Sequence, residues 1–115
     1  MSSSTGTGSP PGPNVMVHVF PKPGKESRVE ELIVQASDQV RVHEPWISLY
    51  RYYRVKRDVS DAEYIIVFHI EDTSRLTSRA EMPHHQAIAQ ANREEDLLRE
   101  PLKYSVLEEM GFWKR

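Results

Sequence analysis

Four short β-rich runs, separated by longer amphipathic runs, restrict the fold of this chain more than any other feature of its sequence. The β-rich runs are VMVHVF (15–20), WISLYRYYRV (46–55), YIIVFHIE (64–71) and PLKYSVLEEM (101–110). Their β-branched and aromatic residues are typical of strands. The third run is apolar enough to indicate a central strand of a sheet.

The amphipathic runs predict helices. In the run from Lys25 to Glu44, helical spacing is kept by Val29, Leu32, Ile33, Ala36, Val40 and His43. Pro45 ends this helix, because the residue before a proline avoids helical geometry. A short helix is predicted in 72–82, and Pro83 begins another over 83–98. The order β-α-β-β-α-β predicts a ferredoxin-like α+β fold, with an antiparallel sheet and helices on one face.

The other face of this sheet is predicted to be partly apolar and therefore to be shielded from water. Along the second strand, Trp46, Ser48, Tyr50, Tyr52 and Arg54 alternate with Ile47, Leu49, Arg51, Tyr53 and Val55. Neither set is cleanly polar, and a face this apolar is unfavourable in water. We therefore expect the open face to pack on a second copy of the chain, in a homodimer.

Length and composition exclude several classes of function. The 115 residues fit one domain, and the Ser-, Gly- and Pro-rich segment 1–14 predicts a disordered leader before a domain at 15–115. The net charge of -2 without a basic cluster argues against nucleic acid as a partner. No apolar run suits a membrane span and no signal peptide is visible, so a cytoplasmic location is expected. The absence of cysteine excludes disulfides and thiolate chemistry.

Four segments in order resemble the antibiotic biosynthesis monooxygenase domain family, in particular its fungal-type members. VMVHVFPKPGK looks like the first strand and its Pro-Gly turn, and EPWISLYRYYR resembles an EPGxLxYxxxR motif. MPHHQAI resembles the SPHFKAF helix start, and EEDLLREPLKYSVL resembles the end of the family domain. The likeness spans residues 15–107.

The resemblance implies a dimeric α+β barrel with a pocket between sheet and helices in each subunit. It implies a cofactor-independent monooxygenase that acts with O2 on an aromatic or polyketide-type phenol, anthrone or quinol in secondary metabolism. The same fold also hosts redox-neutral cyclases, isomerases and decarboxylases, and a non-catalytic ligand-binding barrel is a further alternative. Aligned on His84, the family's Glu, Trp and first His positions fall on Phe68, Ile70 and Arg79.

Three histidines are candidates for a catalytic base, because imidazole titrates near neutral pH. His18 and His69 lie in two predicted central strands, and His84 matches the family's SPH histidine. His85 is a candidate for substrate binding. Since adjacent helical residues point about 100° apart, we expect one of the pair to face the pocket and the other to face solvent.

The remaining candidates are for substrate binding: Tyr50, Tyr52, Trp46, Arg51 and Phe68. The tyrosines and Trp46 offer stacking surface, and Arg51 could stabilise a phenolate. No histidine pair has the HxH or HxxxH spacing of a metal site, so neither a metal nor another cofactor is expected.

Overall fold

The computed structural model describes residues 11–56 and 61–115. The first ten residues of the predicted leader, and residues 57–60 between the second and third predicted strands, lie outside the described residues. The strands are β1 (Val15–Val19), β2 (Ile47–Arg54), β3 (Tyr64–Ile70) and β4 (Lys103–Val106). The helices are α1 (Glu26–His43), a 3-10 turn (Thr73–Arg75), α2 (Leu76–Arg79) and α3 (Pro83–Glu94).

The four strands form one antiparallel sheet in the order β2-β3-β1-β4, which confirms the predicted ferredoxin-like fold. In the register, Val17 lies opposite both Ile66 and Tyr104, and Tyr50 lies opposite Phe68. These side chains therefore share one face of the sheet. The register of β2 shifts between Ile47 and Leu49, so the predicted alternation breaks near the start of that strand.

Both long helices cover this same face, because it carries the apolar side chains of the central strands. The predicted apolar stripe of α1 is buried at Val29, Leu32, Ile33 and Val40, whereas His43 is exposed. The core cluster consists of Val15, Val17, Val19, Val29, Leu32, Ile33, Tyr64, Ile66, Phe68, Ile70 and Leu97.

Helix α3 ends earlier than its sequence pattern suggests. The chain turns at Asp96, whose φ of 52° is left-handed, and the amide of Leu97 bonds the carbonyl of Asn92. Leu97 then enters the core, and its carbonyl accepts a hydrogen bond from the amide of Lys22. Burial of this leucine thus outweighs continuation of the helix.

The first described residues already contact the sheet. The side chain of Asn14 donates to the carbonyl of Ile70 and accepts from its amide, both at 2.9 Å. The carbonyl of Gly12 accepts from His69 Nδ1 at 2.9 Å. These residues belong to the predicted leader, but their contacts extend the edge of the domain.

The sheet face opposite α1 and α3 carries Met16, His18, Leu49, Tyr53, Ile65, Val67 and His69. Tyr53 on this face is 48% exposed. The face is thus mixed in character, as the sequence pattern of β2 indicated, and its cover by a second copy of the chain stays a prediction. Among the described residues, no helix is both long enough and apolar enough to cross a bilayer.

Candidate active site

A cavity of about 90 Å³ lies between the sheet and the helices. Its lining is Val17, Val19, Val29, Leu32, Ile33, Ala36, Tyr50, Ile66, Phe68, Arg79, His85, Ile88, Asn92, Leu102 and Tyr104. Most of this wall is aliphatic, and a few polar groups converge on it. A mainly apolar pocket with few polar groups is the usual form of a small-molecule site.

The buried carboxylate of Glu44 lies beside this cavity and organises its polar end. Arg79 Nε donates to Glu44 Oε1 at 2.5 Å, while Arg79 Nη2 lies 3.5 Å from Oε2. His84 Nε2 and His85 Nε2 each lie 2.7 Å from the same oxygen, Oε2. We call Glu44, Arg79, His84 and His85 the Glu44 cluster.

Three helix ends meet at the Glu44 cluster. Glu44 follows the last residue of α1, Arg79 ends α2, and the two histidines stand in the first turn of α3. Side chains in a helix lean towards its N-terminus, which lets both neighbouring histidines reach a group placed beyond that end. The partial positive charge of the helix N-terminus favours a carboxylate there.

Glu44 is ionised across the physiological pH range. Burial raises the pKa of this carboxyl, but the hydrogen bonds from His85, Arg79 and His84 outweigh burial and lower the pKa to about 2. An ionised carboxylate only accepts hydrogen bonds, so each histidine must present Nε2–H to it. In the neutral ring Nδ1 is therefore the basic nitrogen.

The neighbours of the cluster are aromatic. The guanidinium of Arg79 lies 4.6 Å from the ring centroid of Phe68, and the ring of Tyr50 stacks on the same Phe68 ring at a centroid distance of 5.8 Å. Burial raises the pKa of Tyr50 to about 12, and partial desolvation of its hydroxyl raises the pKa of Tyr104, although much of that residue is exposed. Both phenols therefore stay protonated near neutral pH and act as hydrogen-bond donors, not as bases.

The two adjacent histidines differ from the sequence expectation. We expected one ring in the pocket and one in solvent, but both rings turn to Glu44, with centroids 4.3 Å apart. Of the two, His85 lines the cavity. His84 instead stacks on His43 at 5.3 Å, with its side chain 8% exposed. The expectation failed because both side chains lean beyond the N-terminus of α3, where one carboxylate oxygen of Glu44 lies within reach of both rings.

His18 and His69 both lie on the sheet face that is opposite the cavity. His18 Nδ1 is 2.7 Å from Glu63 Oε2, and His69 donates through Nδ1 to Gly12. Successive residues of a strand point to opposite faces of the sheet. The cavity is lined by Val17 of β1 and Phe68 of β3, so the neighbouring residues His18 and His69 point away from it. Their position does not support the predicted role as a base in this cavity.

The structure divides the predicted substrate-binding residues between different places. Tyr50, Phe68 and His85 line the cavity. Tyr52 instead lines a separate cleft with Tyr64 beside α1, and Arg51 is exposed on the open face. Trp46 packs against the core beneath the guanidinium of Arg75, and its buried indole Nε1 has no hydrogen-bond partner among the described residues.

Sequence reasoning missed Glu44 and Arg79 as site residues. Glu44 had been interpreted only as the end of a helix, although it opens the EPWISLYRYYR segment that carries the family resemblance. Arg79 stands where the family pattern has its first histidine. These matches to the family pattern were the signals that could have marked the two residues as part of the site. Without them, a glutamate or an arginine in a sequence is expected to be a surface charge, because both are rarely buried.

Solved structures share this fold at low sequence identity. An antibiotic biosynthesis monooxygenase superposes with a TM-score of 0.69 at 15% identity, over 85% of this chain and 98% of that one. A protein from Mycobacterium tuberculosis gives 0.69 at 18%, over 87% and 96%. A variant of SnoaB, a cofactor-independent oxygenase from Streptomyces nogalater, gives 0.66 at 14%, over 88% and 96%.

These likenesses show the fold, an antiparallel four-stranded α+β domain of the ferredoxin-like type. The chain spans nearly the whole length of each of these structures. No protein-family model and no curated protein sequence matches it.

Proposed function

We propose that this protein is a cofactor-independent monooxygenase of the antibiotic biosynthesis monooxygenase family, acting on a phenolic, anthrone-like or quinol-like compound. One observation carries the proposal: His85 stands in the wall of an apolar cavity with its Nε2 held by the ionised Glu44. This arrangement leaves Nδ1 as the basic nitrogen of a positioned imidazole. A carboxylate that orients a histidine is a recurring device for general base catalysis.

In this proposal His85 Nδ1 accepts the phenolic proton of the bound substrate. The resulting phenolate is electron-rich enough to reduce O2 itself, and the peroxide that forms at a C–H ring carbon takes the proton back from His85 to become a hydroperoxide. Loss of water from that hydroperoxide leaves a carbonyl, so one oxygen atom enters the product and the other leaves as water. The protein contributes a base, a cavity and charge stabilisation.

Arg79 supplies the charge stabilisation. Its guanidinium lines the cavity and is 7% exposed, so a phenolate in the cavity would meet a fixed positive charge in a poorly solvated place. Glu44 holds that guanidinium in position and offsets part of its charge. Tyr50 and Tyr104, both protonated, are hydroxyl donors on the same wall.

The size of the cavity bears on the substrate. Its volume of about 90 Å³ is below the roughly 300–1,000 Å³ that is common for small-molecule sites. Tyr104 is a lining residue on β4 that is 59% exposed, so its ring has room to move outward. We infer that a substrate with more than one ring enters by displacing Tyr104.

A redox-neutral reaction on a polyketide-type intermediate is the second candidate. The residues at the family's Glu and Trp positions are Phe68 and Ile70, which are buried and apolar, so part of the family's polar pocket is replaced. A cyclase, isomerase or decarboxylase needs only a base and an apolar pocket, and His85 in this cavity meets that need.

We also propose that the working form is a homodimer built through the open sheet face. The support is the partly exposed apolar and aromatic surface on that face, at Leu49, Ile65 and Tyr53. A homodimer of this kind would form the two-sheet barrel that the fold resemblance implies.

Oxygen consumption distinguishes the candidate functions. The purified protein is incubated with anthrone and with mono- and bicyclic phenols, and uptake is followed with an oxygen electrode with and without EDTA. Enzyme-dependent uptake with conversion of a substrate carbon to a carbonyl supports the monooxygenase. Turnover of the same compounds under nitrogen supports the redox-neutral enzyme. Saturable binding without turnover in either atmosphere would contradict both and indicate a binding protein.

A further inference from the structure

The Glu44 cluster brings three metal-ligand atoms together at one point. His84 Nε2, His85 Nε2 and Glu44 Oε2 all lie within 4.8 Å of one another, and each nitrogen is 2.7 Å from the oxygen. Around a tetrahedral ion with bonds near 2.0–2.1 Å, ligand atoms lie roughly 3.3 Å apart. Each nitrogen–oxygen distance would therefore lengthen by only roughly 0.6 Å around an ion.

We propose that Glu44, His84 and His85 form a binding site for a divalent first-row transition metal ion such as Zn²⁺ or Co²⁺. The donor set decides the class of ion. Two imidazole nitrogens and one carboxylate oxygen suit zinc and its neighbours in the first row, whereas Mg²⁺ and Ca²⁺ prefer sites built from oxygen ligands. Three protein ligands leave a coordination position open for water or for a ligand in the cavity.

Arg79 contacts this site through Oε1, the other carboxylate oxygen of Glu44. It holds Oε1 at 2.5 Å, which fixes the carboxylate with Oε2 turned to both imidazoles. Such contacts orient the ligands of metal sites. The same guanidinium carries a positive charge, so the site binds its ion more weakly than a site with a second carboxylate would. The side chain of His85 is 22% exposed and gives the ion a path from solvent.

Occupation of the site has a consequence for His85. A metal bound at Nε2 requires the proton of the neutral ring to be on Nδ1. The nitrogen that was basic in the free protein then no longer accepts a proton. The ion and the base are therefore mutually exclusive, and the metal inhibits any reaction that uses Nδ1 of His85. This inhibition rests on the proposed function, whereas metal binding itself does not.

Direct titration tests the site without a substrate. The full chain, prepared without a polyhistidine tag and freed of metal with EDTA, is titrated with Zn²⁺ by calorimetry and with Co²⁺ by visible absorption. We expect one ion per chain and a Co²⁺ spectrum typical of low coordination number. His84→Ala and His85→Ala should each lower the affinity at least tenfold. His18→Ala and His69→Ala, on the opposite sheet face, should keep the affinity of the unchanged protein.

Thermal unfolding keeps the test valid if a variant is unstable. Zn²⁺ should raise the Tm of the unchanged protein and of His69→Ala, because an ion that binds only the folded state stabilises it. The Tm of His85→Ala should not respond. Equal affinity in His84→Ala, His85→Ala and the unchanged protein would overturn the proposal, as would no binding of either ion. Zn²⁺ binding without inhibition of turnover would leave the site intact and contradict the role of Nδ1.

Discussion

His85 donates its Nε2–H to Oε2 of Glu44 across 2.7 Å, although 41 residues separate the two in the chain. This bond joins the start of α3 to the end of α1. It fixes the tautomer of an imidazole that also lines the cavity. A structural contact and the proposed chemical function thus depend on the same pair.

The tautomers of the histidines can be read directly. In protein with ¹⁵N-labelled histidine, long-range ¹H–¹⁵N correlation spectra near pH 7.5 should show His84 and His85 protonated at Nε2. His69 should show the opposite tautomer, since its Nδ1 donates to the carbonyl of Gly12, and it serves as the internal control. Protonation of His85 at Nδ1 alone would contradict the proposed role of Glu44.

Glu44 should be among the most important residues for stability. Glu44→Ala leaves the guanidinium of Arg79 buried without its carboxylate, and removing one partner of a buried ion pair typically costs about 3–5 kcal/mol. Urea unfolding measures this loss. The matched control is Glu95→Ala, which breaks an exposed pair with Arg28 and should change the unfolding free energy little. Equal effects of the two substitutions would show that burial of the Glu44 cluster adds nothing.

The same carboxylate should shape acid unfolding. Because the pKa of Glu44 is about 2 in the folded protein and its ordinary value is 4.5, the unfolded state binds the proton more readily. The contribution of the ionised Glu44 carboxylate to the free energy of unfolding is therefore complete above pH 4.5 and is lost as the pH falls towards 2. In Glu44→Gln, the unfolding free energy should vary less over that range, whereas the other carboxylates contribute to both proteins alike. Parallel acid limbs in the two proteins would contradict the assigned pKa.

The open sheet face gives a prediction about assembly. Light scattering at micromolar concentration should give about twice the mass of one chain. The double substitution Leu49→Glu and Tyr53→Glu places charge on that face and should yield a monomer. Val42→Glu, at an exposed position of α1, is the matched control and should remain a dimer. A monomeric unchanged protein would exclude this assembly.

The fold could be predicted from the sequence because periodicity is a property of whole segments. The stripe at Val29, Leu32, Ile33 and Val40 decides which face of α1 is buried, and the apolar run of β3 indicates a central strand; both were confirmed. The direction of a single side chain at a helix end is not periodic. Glu44 follows the last residue of α1, so no pattern indicated that its carboxylate turns inward.

Contacts between side chains of distant segments were the other feature that could not be predicted from the sequence. The register that puts His18 and His69 on the face away from the cavity follows from strand pairing, which the sequence did not specify. Likewise, the contact of His84 and His85 with one oxygen depends on how α3 meets α1. Periodicity in α3 alone suggested that the two rings would diverge.

Turnover of the positioned-base variants tests the central claim most directly. On the best substrate from the oxygen-uptake panel, His85→Gln keeps an N–H donor for Glu44 but lacks a basic nitrogen, so it should fold normally and lose about a hundredfold or more in kcat. His18→Ala and His69→Ala should retain most of the rate. Near-full turnover by His85→Gln, with a rate loss in His18→Ala or His69→Ala instead, would contradict the account.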